Sequence, residues 1–149
     1  MTIKRLNRKE IEGALPLVWD VFCKYEAVNY PEDGKEAFRN AIHSEEYLNM
    51  LTAYGAFDGD RLIGIIATRN NGSHIALFFV AGEYHKRGIG RKLFENCLAN
   101  NDSSRITVHS SEYAVGIYER LGFLQIDDMQ EDAGIRYIPM EFKRQTLGK

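Results

Sequence analysis

A turn with two glycines, placed between a predicted strand and a predicted helix, is the part of this sequence with the clearest chemical use. The run His85–Gly90 (HKRGIG) follows the apolar segment Ile75–Val80 and precedes apolar residues at helical spacing. A strand that leads through such a turn into a helix directs several backbone N–H groups and the positive end of the helix dipole at one place. Gly88 and Gly90 let a bulky ligand approach the backbone closely. The arrangement predicts an anion site, with phosphate as the expected anion.

Basic side chains surround the predicted turn: Lys86, Arg87, Arg91 and Lys92. A run of charges is usually a solvated surface. Here the run encloses two glycines at the start of a helix, which favours contacts between these side chains and phosphate groups.

Composition limits the classes of protein to which the chain can belong. The 149 residues suit one domain with its own core, and we predict a single domain over residues 1–149. A net charge of -2 argues against a nucleic-acid partner, and no apolar run approaches the roughly 20 residues of a membrane span. Cys23 and Cys97 match no metal-ligand spacing, so we predict two reduced, buried thiols and no metal site. A cytoplasmic location is therefore expected.

The first half of the chain is predicted to form a strand, two helices and three antiparallel strands. Asn7 and Glu10 have the spacing of a capping box and follow a strand at Thr2–Leu6. The first helix is predicted to extend to about Val28, and a second, more polar helix begins after Pro31. Three strand-like runs come next: Thr52–Phe57, Arg61–Arg69 and Ser73–Val80.

The second half is predicted to contain a helix after the glycine turn, a strand at Arg105–His109, another helix and a closing hairpin. Ser110 or Ser111 is the predicted cap of the later helix, and Gly122 is predicted to end it. The hairpin pairs residues 123–126 with residues 135–142. This element order predicts a mixed α/β (α+β) fold: a central, mostly antiparallel sheet of about six to seven strands with helices on both faces.

Two stretches taken together resemble the GCN5-related N-acetyltransferase (GNAT) superfamily. Val80 through Gly90 is similar to its acetyl-CoA pyrophosphate loop, Gln/Arg-x-x-Gly-x-Gly/Ala. Ser111 through Phe123 (SEYAVGIYERLGF) is similar to its second motif, Asn-x-x-Ala-x-x-x-Tyr-x-x-x-Gly-Phe. His85 replaces the usual Gln or Arg and Ser111 the usual Asn. Both keep a hydrogen-bonding side chain, so altered cofactor affinity is expected rather than lost binding.

The resemblance implies an acetyl-CoA-dependent N-acetyltransferase. It would move an acetyl group to a primary amine of a small molecule or peptide by direct attack in a ternary complex, with coenzyme A as the product. Residues 134–140 also resemble the tail of small bacterial acetyltransferases, and a homodimer is an expectation at the level of the family. The residues implied in cofactor binding are Phe78, Val80, His85, Lys86, Arg87, Gly88, Ile89, Gly90, Arg91, Ser111, Ala114 and Tyr118.

Acetyl transfer to an amine needs an oxyanion donor, a proton for the departing thiolate and a base for the attacking ammonium. The resemblance implies the backbone N–H of Val80 as the oxyanion donor and the Tyr118 hydroxyl as the group that assists the thiolate. The alternative interpretation is that Tyr118 is simply a core residue on the apolar face of its helix. The identity of the general base stays open: His74 and His109 are candidates, and Glu26 is a further one.

The segment between the first two helices is the predicted acceptor site. Tyr25, Glu26 and Tyr30 combine aromatic rings with a carboxylate, which suits a cationic amine. An ordinary connecting loop is the alternative. A different class of function also stays open, namely a non-catalytic acyl-CoA-binding sensor or regulatory module.

Overall fold

An eight-stranded, mostly antiparallel sheet forms the centre of the protein in a computed structural model that describes residues 1–144. The strand order is β1-β2-β3-β4-β5-β8-β6, and β7 pairs with β8 outside this path. The strands are β1 (Thr2–Leu6), β2 (Thr52–Asp58), β3 (Arg61–Arg69), β4 (His74–Val80), β5 (Arg105–Ser110), β6 (Leu124–Gln125), β7 (Gln130–Asp132) and β8 (Ile135–Lys143).

Helices cover both faces of this sheet, which confirms the predicted fold class. The helices are α1 (Arg8–Val21), α2 (Glu32–Ile42), α3 (Glu45–Asn49), α4 (Ile89–Ala99) and α5 (Val115–Leu121). Successive residues of a strand point to opposite faces, so Ile65 belongs to the core beneath α1–α3 and Ile66 to the core beneath α4 and α5. None of the helices in residues 1–144 has the length and apolar character needed to cross a bilayer.

The start of α1 agrees with the sequence prediction, whereas its end does not. The Asn7 side chain accepts a hydrogen bond from the Glu10 N–H, and the Glu10 side chain accepts one from the Asn7 N–H, which is the predicted capping box. The α-helical hydrogen bonds stop at Val21 rather than near Val28. A π-helical turn (Phe22–Glu26) follows and ends the helix.

Two details of the second half also differ from expectation. Helix α5 begins at Val115 without a side-chain cap, and the Ser111 hydroxyl instead accepts a hydrogen bond of 3.2 Å from the Ala114 N–H in the preceding turn. The predicted pairing of residues 123–126 with β8 is present as β6–β8, but the connection contains the additional strand β7. The sheet therefore has one strand more than the upper predicted number. Residues 145–149 of the predicted domain lie outside the described residues.

Strands β4 and β5 are parallel and separate soon after they meet. Their pairing is limited to His74 with Thr107 and Ile75 with Val108. Beyond these residues the strands diverge, so that the carboxyl-terminal half of β4 has a neighbour only on the β3 side. The sheet thus contains a gap that leads from Ile75 towards the glycine turn after β4.

Candidate active site

The glycine turn presents a set of backbone donors with no protein acceptor. Gly88 caps α4 with a φ of 79°, and Lys86 is also left-handed at a φ of 63°. Within residues 1–144, no hydrogen bond uses the backbone N–H groups of residues 86–90. No atom lies within 4 Å of the position that a Cβ would take on Gly88, so the space above the turn is open. This geometry suits a diphosphate bound to the start of a helix.

The basic side chains around the turn have different surroundings. Lys86, Arg87 and Lys92 are exposed, and the Arg87 guanidinium lies 5.1 Å from the centre of the Tyr84 ring. Arg91 donates a hydrogen bond of 2.7 Å to the Arg120 carbonyl at the end of α5. Lys86, Arg87 and Lys92 are thus placed to reach a phosphate, while Arg91 joins α4 to α5.

His85, predicted as a cofactor contact, is turned back towards β4. Its Nε2 lies 2.6 Å from the Val80 carbonyl oxygen and is the donor, since a carbonyl can only accept. The His85 ring also packs against the Tyr25 ring at 4.8 Å. His85 therefore fixes the end of β4 relative to the turn.

The backbone of β4 offers donors to the gap. The Ala81 N–H bonds to the Ile63 carbonyl, and narrow and wide pairs alternate along an antiparallel ladder. It follows that Phe78 and Val80 direct their N–H and C=O groups away from β3, towards the gap. The predicted oxyanion donor, the Val80 N–H, has the required orientation, and the Phe78 N–H shares it.

Tyr118 lies beside this gap. Its ring is 7% exposed and packs edge-on against Phe78 at 5.9 Å and Phe123 at 5.2 Å. None of the hydrogen bonds in the described part of the chain involves its hydroxyl, although the residue lines the adjoining pocket. Burial, with a smaller effect of the Glu26 carboxylate, raises the pKa of Tyr118 above its usual value. The phenol is therefore protonated at neutral pH and available as a donor.

A pocket of about 230 Å³ lies on the α1–α3 side of the gap. Its lining includes seven of the predicted site residues: Glu26, Tyr30, His74, Phe78, His109, Ser111 and Tyr118. Tyr25 and Ala114 are not part of its lining. The pocket is smaller than the roughly 300–1,000 Å³ typical of drug-sized ligands, so it suits a small acceptor or one group of a larger one.

Glu26 has the most suitable environment for a base. It is the last residue of the π-helical turn and lies at the pocket, near Ser111. Burial raises the pKa of Glu26 to about 7, and the Ser111 hydroxyl opposes part of the rise. A carboxyl group with this pKa is half ionised at neutral pH and accepts a proton readily.

The two candidate histidines are neighbours, with ring centres 4.8 Å apart. His74 is a buried strand residue, 8% exposed, whose Nδ1 lies 2.8 Å from the Thr107 hydroxyl. Burial, together with His109 and Arg69, lowers the pKa of His74 to about 4. Burial and Arg69 also lower the pKa of His109, whose ring stacks on Tyr137 at 4.1 Å. The lowered pKa makes each imidazole a weaker base for an ammonium group.

The predicted acceptor residues do not all lie at the same place in the structure. Tyr30 borders the pocket, and its hydroxyl donates a hydrogen bond of 2.7 Å to the Arg136 carbonyl on β8. Burial and the Glu26 carboxylate raise the pKa of Tyr30 to about 12. Tyr25 instead lies against His85, Tyr113 and Gly82, where it bridges the glycine turn and the β5–α5 connection.

Arg69 is a pocket residue that the sequence prediction missed. It is the last residue of β3 and pairs with His74 in the sheet. Its Nε is buried and has no hydrogen-bond partner among the described residues. In the sequence, Arg69 is the polar end of a strand-like run before Asn70-Asn71-Gly72, and nothing local indicates that its side chain enters a pocket.

Comparison with known proteins identifies the class. The acetyltransferase (GNAT) domain family matches residues 24–144, so the chain belongs to this family. Among curated protein sequences, none matches significantly.

Solved structures share the fold over nearly the full length of both chains. A GCN5-related N-acetyltransferase from Rhodopseudomonas palustris has a TM-score of 0.78 at 16% identity, covering 95% of this chain and 94% of its own. The PaiA N-acetyltransferase of Thermoplasma acidophilum, in complex with coenzyme A, has a TM-score of 0.73 at 22% identity and coverages of 96% and 99%. An aminoglycoside 6'-N-acetyltransferase complexed with coenzyme A has a TM-score of 0.62 at 16% identity and coverages of 96% and 97%.

Proposed function

We propose that this protein transfers the acetyl group of acetyl-CoA to a primary amine of a small molecule or peptide. The main support is the gap beside β4, which leads to a turn with five backbone N–H groups that have no acceptor among residues 1–144. Family membership and the coenzyme A complexes of two structural neighbours agree with this assignment.

The chain supplies groups for both ends of the cofactor. The N–H groups of residues 86–90 hold the diphosphate, and Lys86, Arg87 and Lys92 add favourable charge. Residues 78 and 80 offer β4 backbone groups to the pantetheine arm, while Ser111 and Ala114 lie on the opposite side. When bound, acetyl-CoA supplies the thioester that the amine attacks.

Three groups of the chain assist the reaction. Glu26 accepts a proton from the acceptor ammonium, directly or through water. The N–H of Val80 or Phe78 stabilises negative charge on the acetyl oxygen. The Tyr118 hydroxyl donates a proton or a hydrogen bond to the departing sulfur. Glu26 replaces the histidines as the preferred base because its pKa is close to neutral and theirs are lowered.

Direct attack in a ternary complex is favoured over an acyl-enzyme. Cys97 is buried as predicted, whereas Cys23 is only half-buried against the core beneath α1–α3, and neither lines the pocket. Burial raises the pKa of both thiols, which disfavours the thiolate needed for nucleophilic attack. Initial rates at varied concentrations of both substrates should therefore give intersecting rather than parallel double-reciprocal lines.

Release of free thiol from acetyl-CoA over a panel of amines tests the function. The Tyr118→Phe variant should lose roughly a hundredfold in kcat and keep its affinity for coenzyme A. Tyr54→Phe is the matched control, since Tyr54 is partly buried in β2 outside the pocket. A protein that binds coenzyme A but releases no thiol with any amine would instead be a cofactor sensor.

A further inference from the structure

Arg69 places an unpaired positive charge in the acceptor pocket. Its Nε is buried without a hydrogen bond, and no acidic side chain in residues 1–144 lies within ion-pair distance of its guanidinium. Arg69 as a whole is half-buried, but a buried guanidinium N–H without an acceptor is costly, so such a group normally has a hydrogen-bonding ligand. Among the described residues, the pocket around Arg69 therefore lacks both a counter-ion for the guanidinium and an acceptor for its Nε–H.

The other charged residues on the lining do not supply this counter-ion. Asp132 is exposed on β7 and makes no ion pair with Arg69. Arg136 is already engaged, with its guanidinium 3.8 Å from Glu112 and 3.4 Å from the Asn29 carbonyl oxygen. Glu26 also lines the pocket but forms no ion pair with Arg69 in residues 1–144.

The fields of Glu26 and Arg69 act on different groups. The Glu26 carboxylate raises the pKa of Tyr30 and Tyr118, beside the gap. Arg69 pairs with His74 in the sheet, and its charge adds to the effect of burial in lowering the pKa of His74 and His109. The pocket therefore has a carboxylate end next to Tyr118 and a cationic end next to the two histidines.

A zwitterion matches this distribution of charge. We propose that the acceptor is a small amino acid whose amine faces Glu26 and Tyr118 and whose carboxylate binds Arg69. A guanidinium offers two parallel N–H donors to a carboxylate, which fixes the orientation of the ligand as well as its affinity. This inference rests on the proposed acetyltransferase function and names the substrate class of the same site.

The test compares acceptors that differ only in the carboxylate. Amino acids with increasing separation between the amine and the acid are assayed beside their carboxamides, which keep the amine and lose the charge. At the matching length, kcat/KM for the acid should exceed that for the amide by roughly ten- to a hundredfold. Equal values for acid and amide at every length, or a preference for a polyamine such as spermidine, would overturn the inference.

Variants of Arg69 test whether this residue causes the preference for the acid over its amide. Arg69→Gln should remove most of the discrimination between acid and amide, and Arg69→Lys should retain part of it. The exposed arginine of β1, Arg5, provides the control Arg5→Gln, which should keep the full preference. Undiminished discrimination in a folded Arg69→Gln protein would also overturn the assignment. If Arg69→Gln does not fold, the acid–amide discrimination of Arg69→Lys, compared with that of the wild type, tests the assignment instead.

Binding measurements separate this inference from the proposed function. Thermal stabilisation by each acid and its amide, measured with coenzyme A present, reports on the subsite without turnover. Stronger stabilisation by the acid in the wild type, but not in Arg69→Gln, supports the carboxylate subsite even if no thiol is released. Failure of thiol release contradicts the acetyltransferase proposal alone, whereas equal stabilisation by acid and amide contradicts the subsite.

Discussion

At the level of residues, the roles proposed for Glu26 and Tyr118 are complementary. Both pKa values are raised mainly by burial, but the consequences are opposite. Glu26 becomes a base that is half ionised near pH 7, whereas Tyr118 becomes a phenol that stays protonated. The proposed reaction uses this combination at one pH: an ionised carboxylate accepts a proton from the ammonium, and a protonated phenol donates a hydrogen bond to the departing sulfur.

The pH dependence of activity should report the Glu26 carboxylate. Because the base must be ionised, kcat/KM should rise with pH through an apparent pKa of about 7. Glu26→Gln should lower kcat/KM by about a hundredfold and remove this limb, leaving only the titration of the acceptor amine. The exposed Glu46 gives the control Glu46→Gln. If kcat/KM of Glu26→Gln still rises with pH through about 7, another group is the base.

The same carboxylate should make folding stability depend on pH. The pKa of Glu26 in the folded protein, about 7, lies above the ordinary value of 4.5, so the folded state holds this proton more tightly. The stabilisation is complete below about pH 4.5 and is lost as the pH rises through 7. Glu26→Gln keeps a neutral side chain and should raise the free energy of unfolding at pH 8 by about 1–3 kcal/mol.

Denaturant unfolding at pH 5 and pH 8 measures this effect. The gain from Glu26→Gln should be larger at pH 8 than at pH 5, while Glu46→Gln should show no such difference. A variant that is less stable than the wild type at both pH values would show that the carboxylate makes favourable contacts in the pocket.

Sequence reasoning finds site residues when their role depends on local backbone geometry. Gly88, Tyr118 and the basic residues of the turn stand in motifs whose spacing is visible in the sequence. Arg69 and the pKa of Glu26 depend on which elements pack together. Nothing in the spacing of Glu26 distinguishes it from a solvated carboxylate, and its burial follows from the π-helical turn.

At the level of elements, a contact between two glycines joins segments that flank the proposed acceptor pocket. A Cβ on Gly34 of α2 would overlap the carbonyl oxygen of Gly134, in the turn between β7 and β8. The Tyr30 hydroxyl bond to Arg136 joins the same two segments. The α1–α2 connection and the β7–β8 hairpin thus close the pocket together.

Gly34→Ala should displace these two segments and weaken acceptor binding. KM for the amine should rise by roughly tenfold, because backbone atoms must move to admit the methyl group. Coenzyme A affinity should not change, since the glycine turn is part of another segment. Gly13→Ala in α1 is the control: nothing lies within 4 Å of its Cβ position, and it should stabilise the protein by about 0.5–1 kcal/mol. Equal effects of the two changes on KM would contradict this role of the contact.

Element prediction succeeds where a hydrogen bond or an apolar pattern is local. The capping box at Asn7 and the left-handed Gly122 need only neighbouring residues, and both are present. The end of α1 is different, because a single π-helical turn is too short for its wider spacing to appear as a period in the sequence. Strand β7 consists of three exposed polar residues and has no apolar alternation, so only its pairing with β8 defines it.

At the level of the whole molecule, the gap between β4 and β5 divides the sheet. Strands β1 to β4 form one antiparallel group and β5, β8 and β6 another, joined by two residue pairs. A ligand held along β4 and at the start of α4 would bridge this weak junction. Its binding should therefore stabilise the entire fold.

Coenzyme A at about a hundred times its Kd should add about 2.7 kcal/mol to the free energy of unfolding and raise the Tm by roughly 5–10 °C. Gly88→Ala should abolish most of this shift, since its methyl group enters the open space above the turn. Gly59→Ala is the matched control, because Gly59 is also left-handed with open space around it, in the β2–β3 turn. Both variants should lose about 1–2 kcal/mol without ligand. A normal shift in Gly88→Ala, or an equal shift from pantetheine, which lacks the diphosphate, would show that the turn does not hold the cofactor.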